Sequence, residues 1–262
     1  MVNISMMGFL LFAGLFAYTD SHGQKPHKYT TKNKSESSLF DSLMKQCFKN
    51  NTLRCDSCDT MLLRKYLEET SIYAGNGTRN QQARLCTLMN VYHAWLILTL
   101  CASNGLQRIT NDTMLLNNDT LMIDKSMYTL ETLRTSILEM AQKEQLLIWC
   151  SLWNGTVSGA SHPKKEFLPK TFSSTIKAKA KAYFKSSHDE YSLDRSKGII
   201  SLSESLLREL SLLKGGTMRD ALYILEVILP FIPESDAAYC LVNKHMLRVR
   251  SIVVSDRIPI AQ

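Results

Sequence analysis

Between Leu85 and Leu100 the side chains Leu85, Leu88, Met89, Tyr92, Trp95, Leu96, Thr99 and Leu100 return every three or four positions. That period places them on one stripe of a helix and rules out a strand, whose side chains alternate with period two. Asn104-Gly105 supplies the stop, because glycine accepts the left-handed conformation that ends a helix.

The same period recurs along the chain. Leu39, Phe40, Leu43, Met44, Cys47 and Phe48 form a helix that stops near Asn50-Asn51. Leu62, Leu63, Tyr66 and Leu67 start a second after Asp59, which ends at "AGNG" (74–77). Met127, Leu130, Leu133, Ile137, Met140 and Leu147 predict one long helix over about 124–152. Residues 174–187 hold strong helix formers, with Lys177, Lys181 and Lys185 on one face at i, i+4. "SLSESLLRELSLLKGG" (201–216) opens on a capping-box signature, Ser201 and Glu204, and closes on Gly215 and Gly216. "TMRDALYILEVILPFIP" (217–233) repeats the device with Thr217 and Asp220. In the tail, Ala238, Leu241, Val242, His245, Val249, Ile252 and Val253 predict a helix over 236–258. A strand is the alternative, because Leu247 and Val249 alternate with Arg248 and Arg250. The expected class is therefore all-α: a disulfide-bridged bundle of four main helices plus shorter ones.

The N-terminus points to the secretory pathway. Met6–Tyr18 is an apolar run too short to span a bilayer and suited to a signal peptide. Ser21 and Gly23 are small residues at the spacing a signal peptidase reads, so residues 1–23 are expected to be removed. Residues 24–37 are polar and basic and read as a flexible arm. Residues 38–258 read as a single helical domain with a linker at 155–170. No second run reaches the length of a membrane span; Val91–Leu100 comes nearest and is interrupted by His93 and Thr99. The formal charge is 31 − 24 = +7, rising to +8 when Asp20 leaves with the signal peptide.

Six Asn-x-Ser/Thr acceptors follow residue 23: Asn33, Asn50, Asn76, Asn111, Asn118 and Asn154. Chance would supply roughly two or three. All six precede residue 157, so the C-terminal part carries none. The chain reads as an extracellular N-glycosylated protein, and its seven cysteines, Cys47, Cys55, Cys58, Cys86, Cys101, Cys150 and Cys240, are disulfide candidates. Seven is odd, which leaves one free or joined to a partner chain. On one helix Cys86 and Cys101 lie about 22 Å apart and cannot pair with each other. The Cys47/Cys55/Cys58 cluster is the natural anchor for one or more of Cys86, Cys101, Cys150 and Cys240.

Catalytic signatures are missing. There is no nucleophile elbow, P-loop, dinucleotide fingerprint or metal-spaced histidine pair. His22, His27, His93, His162, His188 and His245 are scattered, and a core histidine satisfied by hydrogen bonds is the expectation for His93. Cys55-Asp-Ser-Cys58 lacks the βαβ setting of a redox motif and the second half of a zinc site. Neither cofactor nor metal is implied, and the chain reads as a non-enzyme. Lys164–Lys185 contains seven lysines and the single acid Glu166. It is either a solvated face or a patch, Lys177, Lys181 and Lys185, for sulfated glycans or an acidic receptor. Aromatic residues are poorly interleaved there, which argues against nucleic acid.

Two stretches carry a resemblance. "VYHAWLILTLCASNGLQRITNDTMLLNND" (91–119) and "YCLVNKHMLRVRSIVVSDRI" (239–258) resemble the long-chain four-helix cytokines of the interleukin-6, leukemia inhibitory factor and interleukin-12 alpha type. The first looks like a second bundle helix entering a glycosylated crossover, followed by a third helix ending at Cys150. The second is similar to the final helix of the interleukin-12 alpha chain. Between 155 and 236 the chain departs from that pattern, with three helix-like segments in place of one crossover. The resemblance implies a signalling ligand that binds a cell-surface receptor, with or without a paired chain. The alternative is a secreted helical carrier or structural glycoprotein that holds a small apolar ligand or a partner protein.

Overall fold

In the computed structural model the described residues are 38–75, 80–102, 119–155, 160–186, 190–213 and 221–253. Asn33, Asn76, Asn111 and Asn118 lie outside them, as do the helix stops at Gly105, Gly215 and Gly216 and the cap pair Thr217 and Asp220.

The N-terminal half is built from α1 (Leu39–Cys47), α2 (Thr60–Gly75), α3 (Gln81–Ala102) and α4 (Leu130–Ala141). Ser38 caps α1: its hydroxyl accepts from the Asp41 N–H and donates to the Asp41 carboxylate. Thr129 and Thr132 form a reciprocal capping box on α4. α3 is the centre of this half. Every residue from Leu88 to Leu100 is buried, on all sides of the helix and beyond the sequence stripe. By length and composition α3 could cross a membrane, but here its apolar surface is buried inside the protein. A helix apolar all round is stable in water only when surrounded, and α1, α2, α4 and the chain at 167–176 supply the surround.

The class is mixed, which corrects the all-α expectation. Three small sheets join the helices. Strands β1 (Phe48–Lys49) and β2 (Thr52–Leu53) pair antiparallel around Asn50 and Asn51, at φ 52° and 62°. β3 (Leu121–Ile123) and β4 (Ser126–Tyr128) pair around Asp124 and Lys125, at φ 52° and 63°. Two consecutive positive-φ residues match the twist of a tight hairpin, and Asn and Asp tolerate that conformation best after glycine. Strands of two or three residues are too short to show a period of two, so the helical reading prevailed. The predicted 124–152 helix is accordingly broken. Met127 sits in β4, α4 ends at Ala141, and after the turn Gln142–Glu144 the short α5 (Gln145–Trp149) follows.

The C-terminal half contains α6 (Phe172–Ser186), β5 (Tyr191–Asp194), β6 (Ile199–Ser203), α7 (Glu204–Leu213), α8 (Ala221–Ile228), α9 (Glu234–Asn243) and β7 (Arg248–Ile252). β5 and β6 are antiparallel, β7 runs parallel to β6, and the order is β5-β6-β7. Two sequence expectations fail here. Ser201 is a strand residue, and the α7 cap is Ser203, whose hydroxyl accepts from the Leu206 N–H. The predicted 236–258 helix ends at Asn243, and residues 248–252 are the strand that Arg/Val alternation allowed. Parallel pairing to β6 gives the backbone of Arg248–Ile252 its hydrogen-bond partners, and a lone helix with β-branched residues at its end offered less. At the β5–β6 turn Gly198 has φ 63°, and an added Cβ would sit 3.3 Å from the Met246 carbonyl. Glycine is needed there on both counts.

Two apolar clusters result. One is organised on α3, the other on the β5-β6-β7 sheet with α6, α7 and α8. α5 and α6 belong to both: Ile148 and Phe172 and Ile176 face the first, and Leu146, Ala180, Tyr183 and Phe184 face the second.

The segment read as a linker is tied down over its described part. The Asn90 side chain donates to the Phe167 carbonyl (3.1 Å) and accepts from the Phe167 N–H (2.9 Å). The Asp41 carboxylate accepts from the Glu166 N–H at 2.7 Å. Lys179 Nζ donates to the Ser161 carbonyl and lies 5.8 Å above the Phe167 ring. Asn90→Leu is expected to lower stability by about 2–3 kcal/mol, because the buried Phe167 N–H and C=O lose their partner together. Urea midpoints measured side by side check this; an unchanged midpoint would show that the segment is held by packing alone.

Candidate functional site

All seven cysteines are among the described residues. Cys47 bonds Cys58 and Cys55 bonds Cys101, so the Cys47/Cys55/Cys58 cluster ties α1 and the α2 approach to the end of α3. Cys86, Cys150 and Cys240 are free and buried. Burial pushes the Cys86 thiol up to about 12 and raises Cys150 and Cys240, with Glu190 and Asp236 as the second causes for those two. A thiol held protonated and out of water is a poor nucleophile and a poor link to another chain.

Other interior polar groups serve the packing. His93 is fully buried; its Nδ1–H donates to the Met89 carbonyl at 2.7 Å, and its Nε2 accepts from the Trp153 N–H at 3.1 Å. Both ring nitrogens are used, as expected of a satisfied core histidine, and burial holds its pKa down to about 3. His162 stacks on Phe48 and is held down to about 4, by burial first and then by Lys179 and Lys164. Among the described residues no three His, Cys, Asp or Glu side chains converge to hold a metal.

The surface shows more. Asn50, at the β1–β2 turn, and Asn154, just after Trp153, are both exposed acceptors. Phe48 and Trp153, two residues and one residue before them, make an edge contact at 5.2 Å, so both acceptors emerge beside one aromatic pair. Lys177, Lys181 and Lys185 are all exposed on α6.

Sequence reasoning missed the group on the last turn of α9 and just after it. Leu241, Val242 and Met246 are 59%, 82% and 75% exposed, although the helical reading placed Leu241 and Val242 on a packed face. Lys244, His245, Arg248 and Arg250 beside them are exposed too. The backbone that carries this group is rigidly held. Arg195 pairs with Asp236 at 2.7 Å, the Tyr191 hydroxyl donates to the same carboxylate, and the Tyr239 hydroxyl donates to the Arg195 carbonyl at 2.6 Å. α9 is thereby pinned to the β5–β6 hairpin through Asp236 and Tyr239, while Cys240 and Leu247 enter the core. The only sequence signal for this was the adjacent pair Leu241-Val242, which one buried stripe cannot hold together with Cys240.

No family model, curated protein or solved structure matches this chain.

Proposed function

We infer that this protein is a secreted, N-glycosylated signalling ligand of the cytokine or hormone kind, acting by receptor binding and without a catalytic step. The observation that carries the reading is the exposure of the apolar residues Leu241, Val242 and Met246, with the exposed cations Lys244, Arg248 and Arg250 within a few positions in sequence, on a helix pinned through Asp236. Met and Arg are enriched at protein interfaces, and Arg is among the residues that carry most of their binding energy. No glycan acceptor falls near it in sequence, whereas Asn50 and Asn154 are exposed on the other half of the chain. The two disulfides and the buried, protonated thiols suit an oxidising compartment. The cytokine resemblance of residues 91–119 is in keeping with this reading, whereas residues 239–258, likened to a final bundle helix, leave the helix at Asn243 and continue as β7, and lend it no support.

The test has two parts. Expressed through a eukaryotic secretory pathway, the protein should reach the medium, and Asn50→Gln and Asn154→Gln should each remove one glycan step on a gel. The purified protein should then bind a panel of cells saturably, with displacement by unlabelled protein. Val242→Glu/Met246→Glu should keep the circular dichroism of the parent and weaken that binding by at least 100-fold, the scale of losing hot-spot anchors. Unchanged binding by the double variant would overturn the assignment of this surface, and absence of saturable binding on every cell type would overturn the ligand reading.

A further inference from the structure

α6 carries a row of positive charge that makes no ion pair among the described residues. Lys177, Lys181 and Lys185 recur at i, i+4 and are exposed. The turn Pro169–Thr171 runs directly into α6, so exposed Lys170, seven residues before Lys177, extends the row. From Lys170 to Lys185 the row is roughly 22 Å long. The opposite side of the helix, Phe172, Ile176, Ala180, Tyr183 and Phe184, is buried, which fixes the lysines toward solvent.

Among the described residues no acid pairs with the row. α6 has neither Asp nor Glu. Glu166, the single acid between Lys164 and Lys185, lies against α1, where its N–H donates to the Asp41 carboxylate at 2.7 Å. Among the described residues none of the four lysines makes an ion pair.

We propose that the row Lys170, Lys177, Lys181 and Lys185 binds a linear sulfated polysaccharide of the heparan type. A straight row of ammonium groups on a rigid helix matches an extended polyanion whose charges also repeat along a line. Nucleic acid fits less well, because single strands are held by stacking on exposed aromatic rings and Phe172, Tyr183 and Phe184 are all buried. A lipid surface fits less well, because the exposed residues between the lysines include Ser173, Ser174 and Ala178, with no large apolar side chain to insert. The proposal does not depend on the receptor reading, since it uses a different element and different chemistry.

The test is salt elution from immobilised heparin and from a sulfopropyl resin of equal charge density. The comparison includes the parent, Lys177→Ala/Lys181→Ala/Lys185→Ala, and a control of equal charge loss, Lys45→Ala/Lys65→Ala/Lys143→Ala. Alanine keeps α6 helical, and circular dichroism verifies it. The parent and the control should leave heparin at higher salt than the sulfopropyl resin. The α6 variant should lose that excess and bind heparin roughly 10- to 100-fold more weakly, with a shallower salt dependence. Equal elution of the α6 variant and the control would overturn the proposal. Displacement from heparin by a single-stranded oligonucleotide of matched charge, as effective as free heparin, would overturn it in favour of a general polyanion site.

Discussion

The double variant Cys55→Ala/Cys101→Ala should be less stable than the parent by about 4 kcal/mol, the loop-closure value for a crosslink across the 46-residue separation of this pair. For a chain of this size that is a fall in melting temperature of roughly 8–15 °C. The Cys47–Cys58 bond closes a separation of only 11 residues, so Cys47→Ala/Cys58→Ala should cost less, about 2.7 kcal/mol. Calorimetry under non-reducing conditions gives both numbers. The order of the two is the sharper outcome: a larger loss from the short crosslink would mean that local geometry at the β1–β2 hairpin, and not the tie to α3, holds this end together.

Acid should destabilise the protein well above the range where carboxylates titrate. His93 is neutral in the folded state, with its pKa held down to about 3, and takes up a proton near 6.5 once unfolded. The unfolded state therefore binds more protons between pH 6.5 and 3. The stability that comes from keeping His93 neutral is complete above 6.5 and is lost as pH falls toward 3. From His93 alone the loss at pH 5 is about 2 kcal/mol. His162, held down to about 4, acts with the same sign over the upper part of the same window. His93→Ala should cost about 3–4 kcal/mol at pH 7, from the cavity and from the Trp153 N–H and Met89 carbonyl left without their partner. It should also remove about 2 kcal/mol from the stability difference between pH 7 and pH 5. Urea midpoints of parent and variant at the two pH values decide it. A variant as acid-sensitive as the parent would place the proton uptake elsewhere.

The His93 and Asn90 variants test contacts between distant parts of the chain. Trp153 lies 60 residues from His93, and Phe167 lies 77 from Asn90. The residues at one end of each pair were visible as a histidine and an asparagine inside an apolar helix. Their partners are backbone groups of irregular chain, which leave no mark in the side-chain pattern.

The local periods carried the helices whose apolar spacing is long and unbroken. α3 stands close to where its three-and-four spacing put it, because that spacing has no other use in so long a run, and α6 close to where its strong helix formers and i, i+4 lysines put it. The lysine row and the exposed acceptors Asn50 and Asn154 were also legible, since charge and acceptor motifs are properties of residues at fixed intervals. The tertiary structure decided what pairs with what. Leu241 and Val242 are apolar in any reading, but β7 turned away from the helix and joined β6, so Cys240 and Leu247 took the core positions and Leu241, Val242 and Met246 were left in solvent. Hairpins of two and three residues formed where Asn50-Asn51 and Asp124-Lys125 accept positive φ, below the length at which a strand shows its period. By itself the sequence determined where helices are stable and which residues carry charge, because both follow from neighbours three or four positions away. Only the folded chain decided the sheets, the disulfide pairing and the exposed apolar group, because each depends on residues brought together from far along the chain.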